Sequence, residues 1–146
     1  MNKTLFSHTY LMDVRWGDAD VLGHINNVEY LRYAESGRVA YCSDVMNMVM
    51  GTEIDSGWIL ADMRCTYLQQ VHYPCTLEVC TSVTKVGNKS AVITANIYRK
   101  GEQEAVITTE GVMVWFDYKL QKTTTIPDNI RTKIADFEQS VEGLAS

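Results

Sequence analysis

Proline is scarce in this chain. Pro74 and Pro127 are the only two, and no stretch rich in proline, glycine and serine separates one part from another. That excludes a linker, so the 146 residues read as a single domain over 1–146. Such a length buries roughly two thirds of the surface that the unfolded chain exposes. Cysteines are few (Cys42, Cys65, Cys75 and Cys80) and none forms a CxxC pair, while His8, His24 and His72 are the only histidines. This is no zinc pattern, so neither a metal nor a disulfide framework is expected, and the thiols read as reduced and packed. Positive charge is also short: the net charge of −5 excludes nonspecific nucleic-acid binding but leaves room for a small anion at a local basic spot. No run approaches the roughly 18 apolar residues of a membrane span. The opening MNKTLFSHTYLMDV lacks the apolar run and small-residue cleavage site of a signal peptide. A cytoplasmic protein with no membrane partner is the expectation.

What is present is periodicity. Tyr10, Met12, Val14 and Trp16 alternate with other residues and predict a strand. Tyr30, Tyr33, Ala34, Gly37 and Tyr41 recur at helical spacing and predict a helix over about 28–42, with Asn26 or Asn27 as its N-cap and Glu29 in its first turn. Four strands follow. Their alternating sets are Ile59, Ala61, Met63, Cys65, Tyr67; then Leu77, Val79, Thr81, Val83; then Ala91, Ile93, Ala95, Ile97; and last the longer segment from Ala105 to Phe116, apolar on both faces. Gly87–Asn88 and Gly101–Glu102 mark hairpin turns. Pro127 opens a final helix with Ile130, Ile134, Phe137 and Val141 on one stripe. One long helix buries itself and one face of a sheet only if the sheet wraps it. The fold class is therefore α+β, a helix against a curved antiparallel sheet.

Between the first strand and the first helix lies WGDADVLGHINN, residues 16–27. A turn explains part of it: Gly17 and Gly23 suit positive φ, Asp18 suits a turn, and Asn26 suits a cap. The remaining polarity calls for chemistry. This loop delivers a carboxylate beside a helix N-terminus, where unpaired N–H groups carry partial positive charge. Such amides polarise a carbonyl and stabilise the oxyanion formed on attack, while the carboxylate serves as nucleophile or as general base for water. Those are the minimum parts for acyl-transfer hydrolysis.

The stretch from Val14 to Tyr41, with its D-x-D-x-x-G-H-x-N-N-x-x-Y run, resembles the hotdog-fold acyl-CoA thioesterases of the 4-hydroxybenzoyl-CoA thioesterase family. The element order matches over nearly the whole chain. The resemblance implies a hotdog fold: a long central helix wrapped by an antiparallel sheet of about five strands, with a C-terminal helix. It implies hydrolysis of an acyl-CoA to free acid and coenzyme A, with no cofactor beyond that substrate. The catalytic carboxylate falls on Asp20, and backbone amides around His24, Ile25, Asn26 and Val28 would form the oxyanion hole. One branch of the family carries a tyrosine and a histidine where this chain has Trp16 and Asn27, so Asp20 would act with amides and Asn27. Glu35 is the rival, since another hotdog branch places its acid on the central helix; three residues from Arg38, it also suits a helix ion pair. Lys85, Lys89 and Arg99 resemble the basic residues that meet the coenzyme's phosphates, and Arg64 is a weaker candidate. A homodimer also follows from the resemblance, which leaves open whether two dimers join as a tetramer. Two other readings remain within the fold: a non-catalytic acyl-CoA or acyl-carrier-protein binding module, and a hydratase or dehydratase.

Overall fold

A computed structural model describes residues 1–49 and 54–138. Its elements are β1 (His8–Asp13), α1 (Asn27–Met46), β2 (Ser56–Tyr67), β3 (Thr76–Val86), β4 (Ser90–Arg99), β5 (Ala105–Asp117), a two-residue β6 (Lys122–Thr123) and α2 (Asp128–Phe137). The five main strands form one antiparallel sheet in the order β1-β3-β4-β5-β2, and β6 pairs with the end of β5. α1 lies along the inner side of this curled sheet, mainly against β1, β3 and β4. This is the hotdog arrangement with its C-terminal helix.

α1 begins and ends on asparagines. The Asn26 side chain accepts from the Val28 N–H at 3.0 Å, capping the N-terminus. Asn47 takes a left-handed φ of 54°, and its N–H and that of Met48 return to the Cys42 carbonyl. The helix therefore runs four residues past the expected end, to a stop that Asn47 supplies in place of glycine. The expected face is the buried one: Tyr30, Tyr33, Ala34, Gly37 and Tyr41 all point inward. A Cβ on Gly37 would stand 2.4 Å from a Val79 methyl, so glycine is what lets α1 lie this close to β3.

Three expectations change. β1 lies at His8–Asp13 and does not reach Trp16, which is 78% exposed; Tyr10 is also exposed. A tight 3-10 turn at Trp16–Asp18 ends the extended chain, closed by the Asp18 carboxylate accepting from the Arg15 N–H at 3.1 Å. Secondly, β2 does not keep one alternation. Leu60 pairs with Met113 but Asp62 with Val112, so Ala61 is an extra residue. Trp58 is buried before this bulge, whereas Cys65 and Tyr67 face the helix after it, an even-to-odd change of phase. Thirdly, β5 is an interior strand between β4 and β2, and the edges of the sheet are β1 and β2. The segment after β2 cannot be a tight hairpin, because β2 and β3 sit on opposite sides of the β4–β5 pair.

β3, β4 and β5 are a true meander, with Leu77, Val79, Thr81, Val83, Ala91, Ile93, Ala95 and Ile97 buried as expected. α2 follows its N-cap Pro127 and buries Ile130 and Ile134. Phe137 packs partly against the same core, while Val141 lies outside the described residues. Glu138, one residue past α2, is 8% exposed. It accepts from the Tyr41 hydroxyl (2.7 Å), the Ser82 hydroxyl (3.1 Å) and the Val83 N–H (3.1 Å). Burial, then this carboxylate, push the Tyr41 hydroxyl well above its ordinary pKa. The sheet, α1 and the end of α2 meet on that one carboxylate.

Candidate active site

The loop from Asp18 to Asn26 is held by its own polar groups. The Asp20 N–H donates to the His24 carbonyl (2.8 Å) and the Gly23 N–H to the Asp20 carbonyl (3.0 Å). Gly23, at φ 81°, makes the return possible, since a side chain there would be strained. The turn is fastened to the 68–75 connection: Ile25 N–H donates to Val71 O at 2.9 Å and Tyr73 N–H to Gly23 O at 3.0 Å. His24 and His72 bridge the same two segments, their rings edge to face at 4.5 Å.

Within this frame the two aspartates have different surroundings. Asp18 accepts from the Arg15 N–H and, at 2.7 Å, from the Tyr33 hydroxyl, while its carbonyl takes the Asn26 N–H at 3.0 Å. Burial first, then Asp18, raise the Tyr33 pKa far above the usual value, so this hydroxyl stays protonated and donating. Asp18 is thus spent on the loop itself. Asp20 is exposed, and only its Oδ1 is engaged, by the N–H groups of Leu22 (2.9 Å) and His24 (3.0 Å). Among the described residues its Oδ2 accepts nothing. A carboxylate fixed through one oxygen and open at the other is oriented and still free to accept.

The amides expected at the oxyanion position divide sharply. His24 N–H donates to Asp20, Ile25 N–H to Val71, Asn26 N–H to Asp18, and Val28 N–H to the Asn26 side chain. Asn27 N–H, at the first position of α1, has no acceptor among the described residues; its carbonyl accepts from Tyr67 Oη at 3.1 Å. An open cavity of about 440 Å³ beside Asp20 is lined by Trp16, Gly17, Ala19, Val21, Gly23 and Tyr73. Tyr73 belongs to the irregular 68–75 connection, which carries no periodicity, so nothing in the sequence marked it.

The other candidates lie elsewhere. Glu35 is two turns along α1, about 12 Å of helix rise from Asn27, and does not line the Asp20 cavity. It approaches Arg38 at 4.0 Å, the expected helix pair. Lys85 and Lys89 flank the β3–β4 hairpin, where Arg131 of α2 joins them by donating to the Gly87 and Asn88 carbonyls. Arg99 is at the far end of β4, roughly 30 Å of strand away. There it donates to Gln69 Oε1 at 2.7 Å and to the Gln70 carbonyl, bracing the connection behind the Asp20 loop. The three cations do not form one patch within a subunit. Arg64 stands opposite Glu110 on the outer face of the sheet. Among the described residues no group of three or more His, Cys, Asp or Glu is placed to hold a metal, and no helix is long and apolar enough to cross a membrane.

Sequence and structure comparisons agree with this fold. Residues 14–134 match the family model of the thioesterase-like superfamily, and the chain belongs to that superfamily. The YsmA protein of Bacillus subtilis is 32% identical over 91 residues, 62% of this chain and 60% of that protein, so the match spans less than two thirds of that relative's length. The PA2801 protein of Pseudomonas aeruginosa is similar with a TM-score of 0.80 and 30% identity, over 89% of this chain and 99% of that one. A Thermus thermophilus thioesterase solved with coenzyme A and Zn shares the fold, with a TM-score of 0.78 and 24% identity over 92% of this chain and 96% of its own.

Proposed function

We propose that this protein hydrolyses an acyl-CoA to a free acid and coenzyme A, in the 4-hydroxybenzoyl-CoA thioesterase branch of its superfamily. The observation that carries the reading is a half-free carboxylate, Asp20 Oδ2, beside an open cavity, in a loop that leads into α1, whose first N–H, that of Asn27, has no acceptor among the described residues. The thioester carbonyl oxygen accepts from Asn27 N–H, and the helix dipole favours the negative charge that grows there. Asp20 Oδ2 attacks the carbonyl carbon or takes a proton from the attacking water. The tetrahedral adduct then collapses with loss of the coenzyme A thiolate; on the general-base route this takes the proton from Asp20 and leaves the free acid, and on the nucleophilic route water then cleaves the acyl–aspartyl anhydride to the free acid and the Asp20 carboxylate. His24, Ile25, Asn26 and Val28 act by holding the loop, since their own amides are already spent within the loop and its anchors.

Lys85 and Lys89, with Arg131, supply cations for the coenzyme's phosphates, and their distance from the Asp20 end suits a coenzyme bound across two subunits. A two-fold homodimer accounts for the unpaired edge of β2, which exposes Ile59 and Leu60. Arg99 serves the loop framework.

The direct test is turnover of short, long and aromatic acyl-CoAs by the parent and by Asp20→Asn. The parent releases thiol; the variant, with the same size and no charge, falls by about 10²–10⁴-fold in kcat. Tight acyl-CoA binding without turnover would make the protein a binding module, and addition or loss of water on the acyl chain would make it a hydratase or dehydratase.

A further inference from the structure

The inward face of α1 carries Tyr30, Tyr33 and Tyr41, where phenylalanine would fill nearly the same space. All three are buried, and a hydroxyl taken out of water is costly unless it is paired. Each is paired, and each to a different segment. Tyr30 Oη accepts from the Val71 N–H at 2.9 Å, in the connection behind the Asp20 loop. Tyr41 donates to Glu138, past the end of α2, at 2.7 Å. Tyr33 donates to Asp18 Oδ2, also at 2.7 Å. Tyr33 lies about 9 Å of helix rise beyond Asn27. Side chains on a helix lean toward its N-terminus, so this phenol reaches back to the loop.

The loop is a small hairpin with Asp18 at its base. Ala19 is bridged to Ile25, the Asp20 N–H donates to the His24 carbonyl, and the Asp18 carbonyl takes the Asn26 N–H. Asn26 runs directly into α1 as its N-cap, so that limb is anchored by the chain itself. The limb that carries Asp20 has no such anchor. Arg15, whose N–H also donates to Asp18, belongs to the same limb. Among the described residues, the Tyr33–Asp18 bond is the one hydrogen bond from an α1 side chain to it. Neither Tyr33 nor Asp18 lines the cavity beside Asp20.

We infer that Tyr33 is a positioning residue for the reaction: through Asp18 it fixes the limb that carries Asp20 against α1, so that the carboxylate and the head of the helix move as one body. This rests on the reading of Asp20 as the working carboxylate. A phenol held to a carboxylate is a strong, directional bond, and its loss frees the limb to pivot about its Asn26 base. A reacting group that shifts by about an ångström loses most of the benefit of being placed.

The test sets Tyr33→Phe against Tyr41→Phe in the full-length protein. Both remove a hydroxyl from the same helix face and break a phenol–carboxylate bond of the same length, but only one bond reaches the loop. Native-state hydrogen exchange, resolved by residue, needs no substrate. In Tyr33→Phe the amides of Asp20, Gly23 and Asn26 exchange about ten-fold faster or more, while those inside α1 keep their protection. In Tyr41→Phe the loop amides exchange as in the parent. With hexanoyl-CoA and benzoyl-CoA, Tyr33→Phe loses about 10–10²-fold in kcat at an unchanged KM, and Tyr41→Phe keeps the parent kcat. Asp18→Asn, whose amide oxygen still accepts from Tyr33, stays close to the parent. Asp18→Ala loses as much as Tyr33→Phe, and the two losses do not add. Parent-like exchange of the loop amides in Tyr33→Phe overturns the assignment. So does an equal loss of kcat in Tyr41→Phe, or a rise in KM at constant kcat in Tyr33→Phe. Abolition of turnover by Asp18→Asn also overturns it, since Asp18 would then be the reacting carboxylate. Should Asp20→Asn match the parent, or the parent hydrolyse neither thioester, the reading of Asp20 is what fails, and loop exchange alone decides whether Tyr33 holds the limb.

Discussion

Asn27 sits at the first helical position of α1, and that position offers a clean test of the amide's role. Proline is tolerated there because the lost N–H has no helical partner and its fixed φ suits the helix. The preceding residue, Asn26, is already extended at φ −63° and ψ 138°, the conformation a following proline demands. Asn27→Pro therefore keeps the helix and deletes one donor. A single oxyanion donor is worth about 10²–10³-fold in kcat, and that is the loss expected, with an unchanged circular dichroism spectrum. Parent-like turnover by Asn27→Pro would remove the amide from the mechanism. A dead Glu35→Gln beside an active Asp20→Asn would move the chemistry from the loop to α1.

Among the elements, the end of α2 is tied to α1 and β3 by the Glu138 carboxylate, which no cation accompanies among the described residues. Glu138→Ala leaves the hydroxyls of Tyr41 and Ser82 and the N–H of Val83 without their acceptor in a buried site. Each such group costs about 1–3 kcal/mol, discounted where water enters the space left behind. A loss of about 2–4 kcal/mol in unfolding free energy is expected, with a lower Tm, and denaturant titration measures it. Glu138→Gln keeps one acceptor and should lose less. If both variants unfold at the parent midpoint, the carboxylate does not hold the helix.

At the scale of the whole molecule, β2 is the longer of the two edge strands, the other being the six-residue β1. Twelve residues of strand with one free side, Ile59 and Leu60 among them, suit pairing with a second copy. Sedimentation at micromolar concentration should show a dimer, and a monomer would refute the pairing. Charge reversal at Lys85 and Lys89 should raise KM for acyl-CoA with little change in kcat, the signature of contacts equal in ground and transition state. An acyl-pantetheine thioester, lacking the distal phosphates, should be unaffected; an equal loss on that substrate would cancel the phosphate role.

The sequence by itself determined the parts whose signal is local. The stripe from Tyr30 to Tyr41 set α1, because burial at 3.6-residue spacing needs no knowledge of the partner surface. The alternations in β3 and β4 set the middle of the sheet in the same way. The crowding of D-x-D and N-N around Gly23 marked the loop, because more polar groups stood there than a turn consumes. Tertiary structure alone decided where β2 lies, since an eight-residue connection (68–75) fixes no neighbour, and the bulge at Ala61 then reversed the face that its alternation predicted. It also separated Arg99 from Lys85 and Lys89, because residues near one another along a strand and its turn are carried to opposite ends of a ten-residue β4. Which amide at the head of α1 is left to donate was likewise decided there. His24 and Val28 donate to the nearby side chains of Asp20 and Asn26, but Ile25 and Asn26 find their acceptors only once the loop has closed on Val71 and Asp18, and a hydrogen-bond donor is free only when every nearby acceptor has been assigned.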